Sequence, residues 1–106
     1  MLCVIVRLPS FDRQVRQALK KYPLATSHVD EEINNLAACP RLGDLYPGFS
    51  PFEVRKIRIG LPQYKIGKRS GLRLIHLYIP EKSKIVPLVI YLKKKLWLRT
   101  RSTLLD

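Results

Sequence analysis

VRKIRIGLPQYKIGKRSGLRLIHLYIPEKSKIVPLVIYLKKK, residues 54–95, decides the fold. Three runs rich in β-branched and aromatic residues alternate with turn-forming stretches, so three consecutive strands are predicted. Nearly all their polar positions are Lys or Arg. In the first run Ile57 and Ile59 share one face, which leaves Lys56 and Arg58 on the other. Val54 falls out of that phase, so a bulge or a late strand start is expected. The second run, 72–79, is almost wholly apolar, with Arg73 its one charged residue. The third, 85–92, contains Pro87, which cannot donate to a ladder and belongs at an edge or with its missing N–H outward. The segment GLPQYKIGKRSG, 60–71, is too long for a two-residue hairpin; it gathers Lys65, Lys68 and Arg69 among three glycines and is expected to project as a flap.

Upstream, LCVIVRL (2–8) reads as an interior strand with two apolar faces, ended by Pro9. Ser10 offers an N-cap for a helix in which Phe11, Val15, Ala18, Leu19 and Tyr22 share a stripe, with Arg13, Arg16, Lys20 and Lys21 elsewhere on the wheel. A second helix starts at Ser27, with Asp30, Glu31 and Glu32 in its first turns and Val29, Ile33, Leu36 and Ala37 as its buried stripe. Residues 40–53, with three prolines and two glycines, read as a structured loop. The order is β-α-α-β-β-β, an α+β domain with one small, mostly antiparallel sheet and a helical hairpin on one face.

The 106 residues suit a single domain over 1–106. Twenty Lys and Arg against eight Asp and Glu give a net charge of +12. An excess that large predicts attraction to a polyanion, whether nucleic acid, an acidic protein or an anionic surface. No segment approaches the roughly 20 apolar residues of a membrane span, so no membrane association is expected. MLCVIVRLP lacks a basic leader and a small-residue cleavage site, and reads as a strand rather than a signal peptide. Cys3 and Cys39 fall in no metal-ligand spacing and are expected as buried free thiols, which suits a reducing cytoplasm. No metal or cofactor is expected.

Lys56, Arg58 and Arg73 lie on adjacent predicted strands and can converge on the exposed face, with Lys93, Lys94 and Lys95 leaving the last strand close by. Such a cluster binds phosphates by charge, with Arg adding bidentate geometry. It can also stabilise the transition state of RNA cleavage by a neighbouring 2′-hydroxyl. Binding is the better supported of the two. His76, inside an apolar strand, reads as structural before it reads as a proton donor. Tyr78 and Tyr91 read as core, with hydroxyls that can still reach the basic face.

The KIRI strand, the GKRSGLRLIHLY turn and strand, and the closing IYLKKK resemble the RelE/ParE superfamily of bacterial type II toxins, its HigB-like and ParE-like members above all. CPRLGDLYPG resembles the proline-glycine loop that follows their helical hairpin. The resemblance implies a cytoplasmic toxin held by a cognate acidic antitoxin. RelE-like members are ribosome-dependent messenger RNA endoribonucleases that arrest translation; ParE-like members inhibit DNA gyrase and are not enzymes. A basic nucleic-acid-binding module is the third reading. By position the resemblance makes Lys56, Arg58, Arg73 and Lys95 catalytic candidates, with Tyr91 added as a stand-in for the family's C-terminal proton-transfer residue, and the charge pattern makes Lys65, Lys68, Arg69, Lys93 and Lys94 RNA contacts. Leu96, Trp97 and Leu98 are the candidates for an antitoxin-binding tail. No tyrosine or histidine follows Tyr91, where RelE-like members place a proton-transfer residue, so Tyr91 or His76 would have to serve.

Overall fold

The strands and helices follow the expected order, with one addition. In a computed structural model that describes residues 2–93, the elements are β1 (Val4–Ile5), α1 (Pro9–Ala18), α2 (Thr26–Asn34), β2 (Asp44–Tyr46), β3 (Glu53–Ile59), β4 (Leu72–Ile79) and β5 (Lys84–Leu92). The expectations placed on Lys94, Lys95, Leu96, Trp97 and Leu98 lie outside the described residues. The sheet runs β1-β5-β4-β3-β2, antiparallel except for the parallel pair β1–β5. The α+β architecture is as the sequence reading has it. The added strand β2 forms inside the proline-glycine loop, too short for periodicity to reveal.

Both helices close one face of the sheet. Phe11, Val15 and Leu19 of the first helical segment and Val29, Ile33 and Leu36 of the second bury against Ile57, Ile59, Leu72, Leu74, Ile85 and Ile90. Burying a side chain of this kind stabilises the fold by roughly 1.5–3 kcal/mol relative to leaving it in water. The α1 N-cap is Leu8, not Ser10, because Pro9 takes the first helical position, where its fixed φ fits and its missing N–H costs nothing. The α2 helix starts at Thr26, which moves the acids beyond its first turn. Asp30 serves tertiary structure instead: with Asp12 it brackets Arg7, at 3.0 and 2.8 Å.

Four other expectations are corrected. The first strand is an edge, with Leu2 and Val4 exposed while Cys3 and Ile5 pack on the core. The thiols are not buried: Cys3 is half-buried and Cys39 exposed, since the one lies on that edge and the other past the last helical turn. The β3 strand has no bulge. It pairs continuously with β4 from Glu53 to Ile59, and Val54 is buried on the face away from the helices, in register with Leu77 and through it with Val86. The bulge is in β5 instead, where Leu88 is the extra residue beside Pro87.

The 60–71 segment is not a projecting flap. Leu61 is fully buried and exchanges backbone hydrogen bonds with Ile66, at 2.8 and 3.1 Å. The Tyr64 hydroxyl accepts from the Leu24 N–H at 2.9 Å, and the Tyr22 and Tyr64 rings meet edge to face at 5.0 Å. The apolar residues hidden among its glycines tie the segment to the helical layer. Gly71 closes it, and a Cβ there would collide with the Ile59 carbonyl oxygen.

Beyond Ile85, no strand among the described residues lies on the outer side of β5, because β1 pairs only with Lys84 and Ile85. Gln14 of α1 takes that place. Its Oε1 accepts from the Ile90 N–H at 3.0 Å, and its Nε2 donates to the Leu88 carbonyl at 3.4 Å. A side chain thus satisfies backbone groups that a further strand would otherwise satisfy.

Candidate nucleic-acid interface

Strand alternation sorts the candidates onto two faces. In the antiparallel ladder Arg58 stands opposite Arg73, and Arg73 opposite Tyr91, on the face away from the helices. Lys56 is one step along the same face, opposite Ile75 on β4 and Asp44 on β2. The sheet therefore brings Lys56, Arg58, Arg73 and Tyr91 together. This face is not uniformly cationic: Val54, Leu77 and Val86 fill its other end.

The four residues differ in what they present. Arg58 is exposed, and Lys56 and Tyr91 are half-buried. Arg73 is 0% exposed, so the expectation of an exposed cation there is corrected. Its Nη1 and Nη2 donate to the carbonyls of Lys68 and Arg69, at 3.1 and 3.0 Å. A planar guanidinium can hold two adjacent carbonyls at once, and here it fixes the single 3₁₀ turn Lys68–Ser70. The side chains of Lys68 and Arg69 are exposed on that turn. The Lys93 N–H donates to the Gly71 carbonyl at 2.9 Å, which sets Lys93 beside it.

Tyr46 is a residue that sequence reasoning missed. It is in register with Val54 on the same face, and the Lys56 Nζ lies 5.9 Å from its ring centroid. Its one sequence signal was an aromatic residue just before Pro47, in a stretch read as loop. A ring beside a cation offers a stacking surface for a base.

His76 is not part of this face. It points to the helix side, 0% exposed, with Nε2 3.1 Å from the Pro40 carbonyl oxygen. A carbonyl can only accept, so Nε2 carries the proton. Burial holds the imidazole pKa below its ordinary value, with the nearby Arg55 charge acting in the same direction against the Pro40 hydrogen bond. This is a structural histidine, and it leaves Tyr91 as the proton-transfer candidate. Beside it a charge network closes the same corner. Glu53 accepts from Arg41 at 2.9 Å and from Arg55 at 3.3 Å, Arg55 also donates to the Gly43 carbonyl at 3.0 Å, and Arg41 lies 5.3 Å from the Tyr78 ring centroid. The hydrogen bond from Arg41 is the main cause that holds the Glu53 carboxyl below its ordinary value. Tyr78 packs against the described core, as expected.

Among the described residues no three of His, Cys, Asp and Glu come together in a way that could hold a metal ion, and no helix is long and apolar enough to cross a membrane.

No protein-family model and no curated protein sequence matches this chain. Its fold is similar to that of the crystal structure of the isolated E. coli RelE toxin, with a TM-score of 0.61 over 95% of each chain at 14% sequence identity. At that identity the likeness is one of fold: the described residues have a RelE-like architecture.

Proposed function

We propose that this chain is the toxin of a type II toxin–antitoxin pair, an endoribonuclease that cuts messenger RNA on the ribosome in the cytoplasm and is neutralised by an acidic antitoxin. The observation that carries the reading is the convergence of Lys56, Arg58 and Tyr91 on the sheet face left free by the helices of a RelE-like fold. Cleavage by the neighbouring 2′-hydroxyl needs that oxygen deprotonated, charge on the phosphorane oxygens neutralised, and the departing 5′-oxygen protonated. The 2′-oxygen bonds to phosphorus as the 5′-oxygen bond breaks, leaving a 2′,3′-cyclic phosphate and a 5′-hydroxyl. Arg58 is suited to the charge and Lys56 to the charge or the first proton; Tyr91 is suited to the second proton. Arg73 acts through the turn that it holds and is a positioning residue.

Expression of the chain is expected to arrest translation and to leave cleaved transcripts. Lys56→Ala with Arg58→Ala is expected to reduce cleavage by on the order of 100-fold or more, the scale of losing a transition-state donor. Unchanged cleavage by the folded double variant excludes the assignment. The burial of Arg73 takes one of the expected cations away from solvent, and this favours, as a second reading, a ParE-like inhibitor of DNA gyrase. Blocked supercoiling by purified gyrase, with transcripts intact, distinguishes it.

A further inference from the structure

Ile59, Leu72 and Leu92 stand in register at one end of the sheet, and beyond them the helix side opens into a cleft of about 500 Å³. Its walls are the end of the first helical segment (Lys21, Tyr22), the 60–71 segment (Lys65, Ser70) and the end of β5 (Leu92, Lys93). A second hollow, also about 500 Å³, shares Lys21, Tyr22 and Leu92 and adds Lys20 and Tyr91. Among the described residues no carboxylate lines either one. The described acids are placed elsewhere: Asp12 and Asp30 on Arg7, Glu53 on Arg41 and Arg55, Glu31 and Glu32 on α2, Asp44 on β2, and Glu81 in the turn before β5. Neither Lys21 nor Lys65 forms an ion pair among the described residues. Lys20 and Lys21 complement the negative end of α1, which accounts for part of their placement. That effect does not explain Lys65, which comes from another element.

We propose that this cleft seats the phosphate backbone of single-stranded RNA, at a site separate from Lys56 and Arg58. The proposal rests on the ribonuclease reading for its ligand and on the cleft for its place. The backbone that carries the loop cations and Lys93 is held in advance of binding. Arg73 fixes the Lys68–Ser70 turn, the Lys93 N–H bonds to Gly71, and Tyr64 joins the loop to Leu24 and Tyr22. Ordering that is already in place does not have to be supplied by the ligand. The turn that carries Lys68 and Arg69 meets Arg73, the ladder partner of Arg58 on the far face, through its carbonyls, and its flanking Gly67 and Ser70 line the cleft, so it joins the two faces around the end of the sheet. A single strand can follow such a bend. A duplex cannot, given a stiffness that persists over about 150 base pairs in DNA. Tyr22, half-buried in the wall, offers a ring to a base.

The test is fluorescence anisotropy with a labelled, uncleavable 2′-O-methyl single-stranded RNA, titrated with the full chain over a range of KCl. Lys21→Gln with Lys65→Gln removes two cations from the cleft. Lys82→Gln with Lys84→Gln removes the same charge from the opposite end of the sheet. The cleft variant is expected to bind about tenfold more weakly and to lose about 1.4 from the slope of log K against log salt, the share of two phosphate contacts on a single strand; the control is expected to keep the wild-type slope. Equal losses in both variants reduce the effect to net charge and overturn the proposal. So does a cleft variant with wild-type RNA affinity, and more so if it has lost affinity for polyglutamate, which would give the cleft to an acidic protein. A wild-type chain that binds no RNA overturns the ribonuclease reading itself.

Discussion

At the end of the sheet where Glu53, Tyr78 and Ile85 stand in register, arginines are tied to a carboxylate: Arg41 and Arg55 both reach Glu53, and Arg55 also holds Gly43. At the other end, where Ile59, Leu72 and Leu92 align, Arg73 is tied to the carbonyls of Lys68 and Arg69, and Lys65 and Lys93 line an adjoining cleft that holds no acid among the described residues. The same residue types thus do different work. Where cations meet acids they build a corner of the fold. Where they are gathered with no described acid in the adjoining cleft, their mutual repulsion is relieved by binding an anion.

The largest test of the contrast is Arg73→Ala. Loss of two hydrogen bonds and of a fully buried side chain is expected to cost about 3 kcal/mol in urea denaturation, and Arg73→Lys should restore little because an ammonium cannot span both carbonyls. Arg58→Ala, its exposed partner in the ladder, should stay within about 0.5 kcal/mol of the wild type. Similar costs for the two would erase the distinction between a cation that builds and one that binds.

Acid should act on the opposite end. The His76 pKa is lowered from its ordinary 6.5, so its contribution is fully present above that pH and is lost as pH falls through the lower folded value. The Glu53 pKa is lowered from its ordinary 4.5, so its contribution is also lost with acid, through a lower window. The amides of Leu42, Gly43 and Arg55 are expected to lose hydrogen-exchange protection between pH 7.5 and 5 relative to those of Gly71 and Lys93. Uniform loss would mean that His76 does not hold this corner. The smallest effect belongs to Arg41→Gln. Arg55 still holds Glu53, so the urea midpoint should hardly move, while the Glu53 carboxyl, followed by NMR titration, rises toward its ordinary value.

Much of this was written in the order of residues. The β4 and β5 strands fall where apolar runs are bounded by Gly71, by the Pro80–Ser83 turn and by the closing lysines, because period and punctuation are local properties. Alternation also placed Lys56 and Arg58 on one face. It could not say what a side chain meets there. The two carbonyls that bury Arg73 lie in a turn whose shape depends on Leu61 and Tyr64 packing elsewhere, and His76 finds its acceptor at Pro40, far back along the chain. The β2 strand, three residues between turn formers, has too little length to carry a period. Lys21 joined the cleft only once α1 was laid across β5, which no spacing within the helix reveals.

The Gln14 contact with β5 bears on how copies of this chain meet. A sheet margin is a comb of donors and acceptors that can template a further strand from another molecule. Along β5 that comb is interrupted three times in succession: Pro87 has no donor, Leu88 bulges, and Ile90 is already bonded to a helix side chain. The far margin, β2, is three residues long and ends at Pro47. Among the described residues the sheet therefore has no long straight border on either side, and a chain of high positive charge is also one whose described strands give a neighbour little to extend.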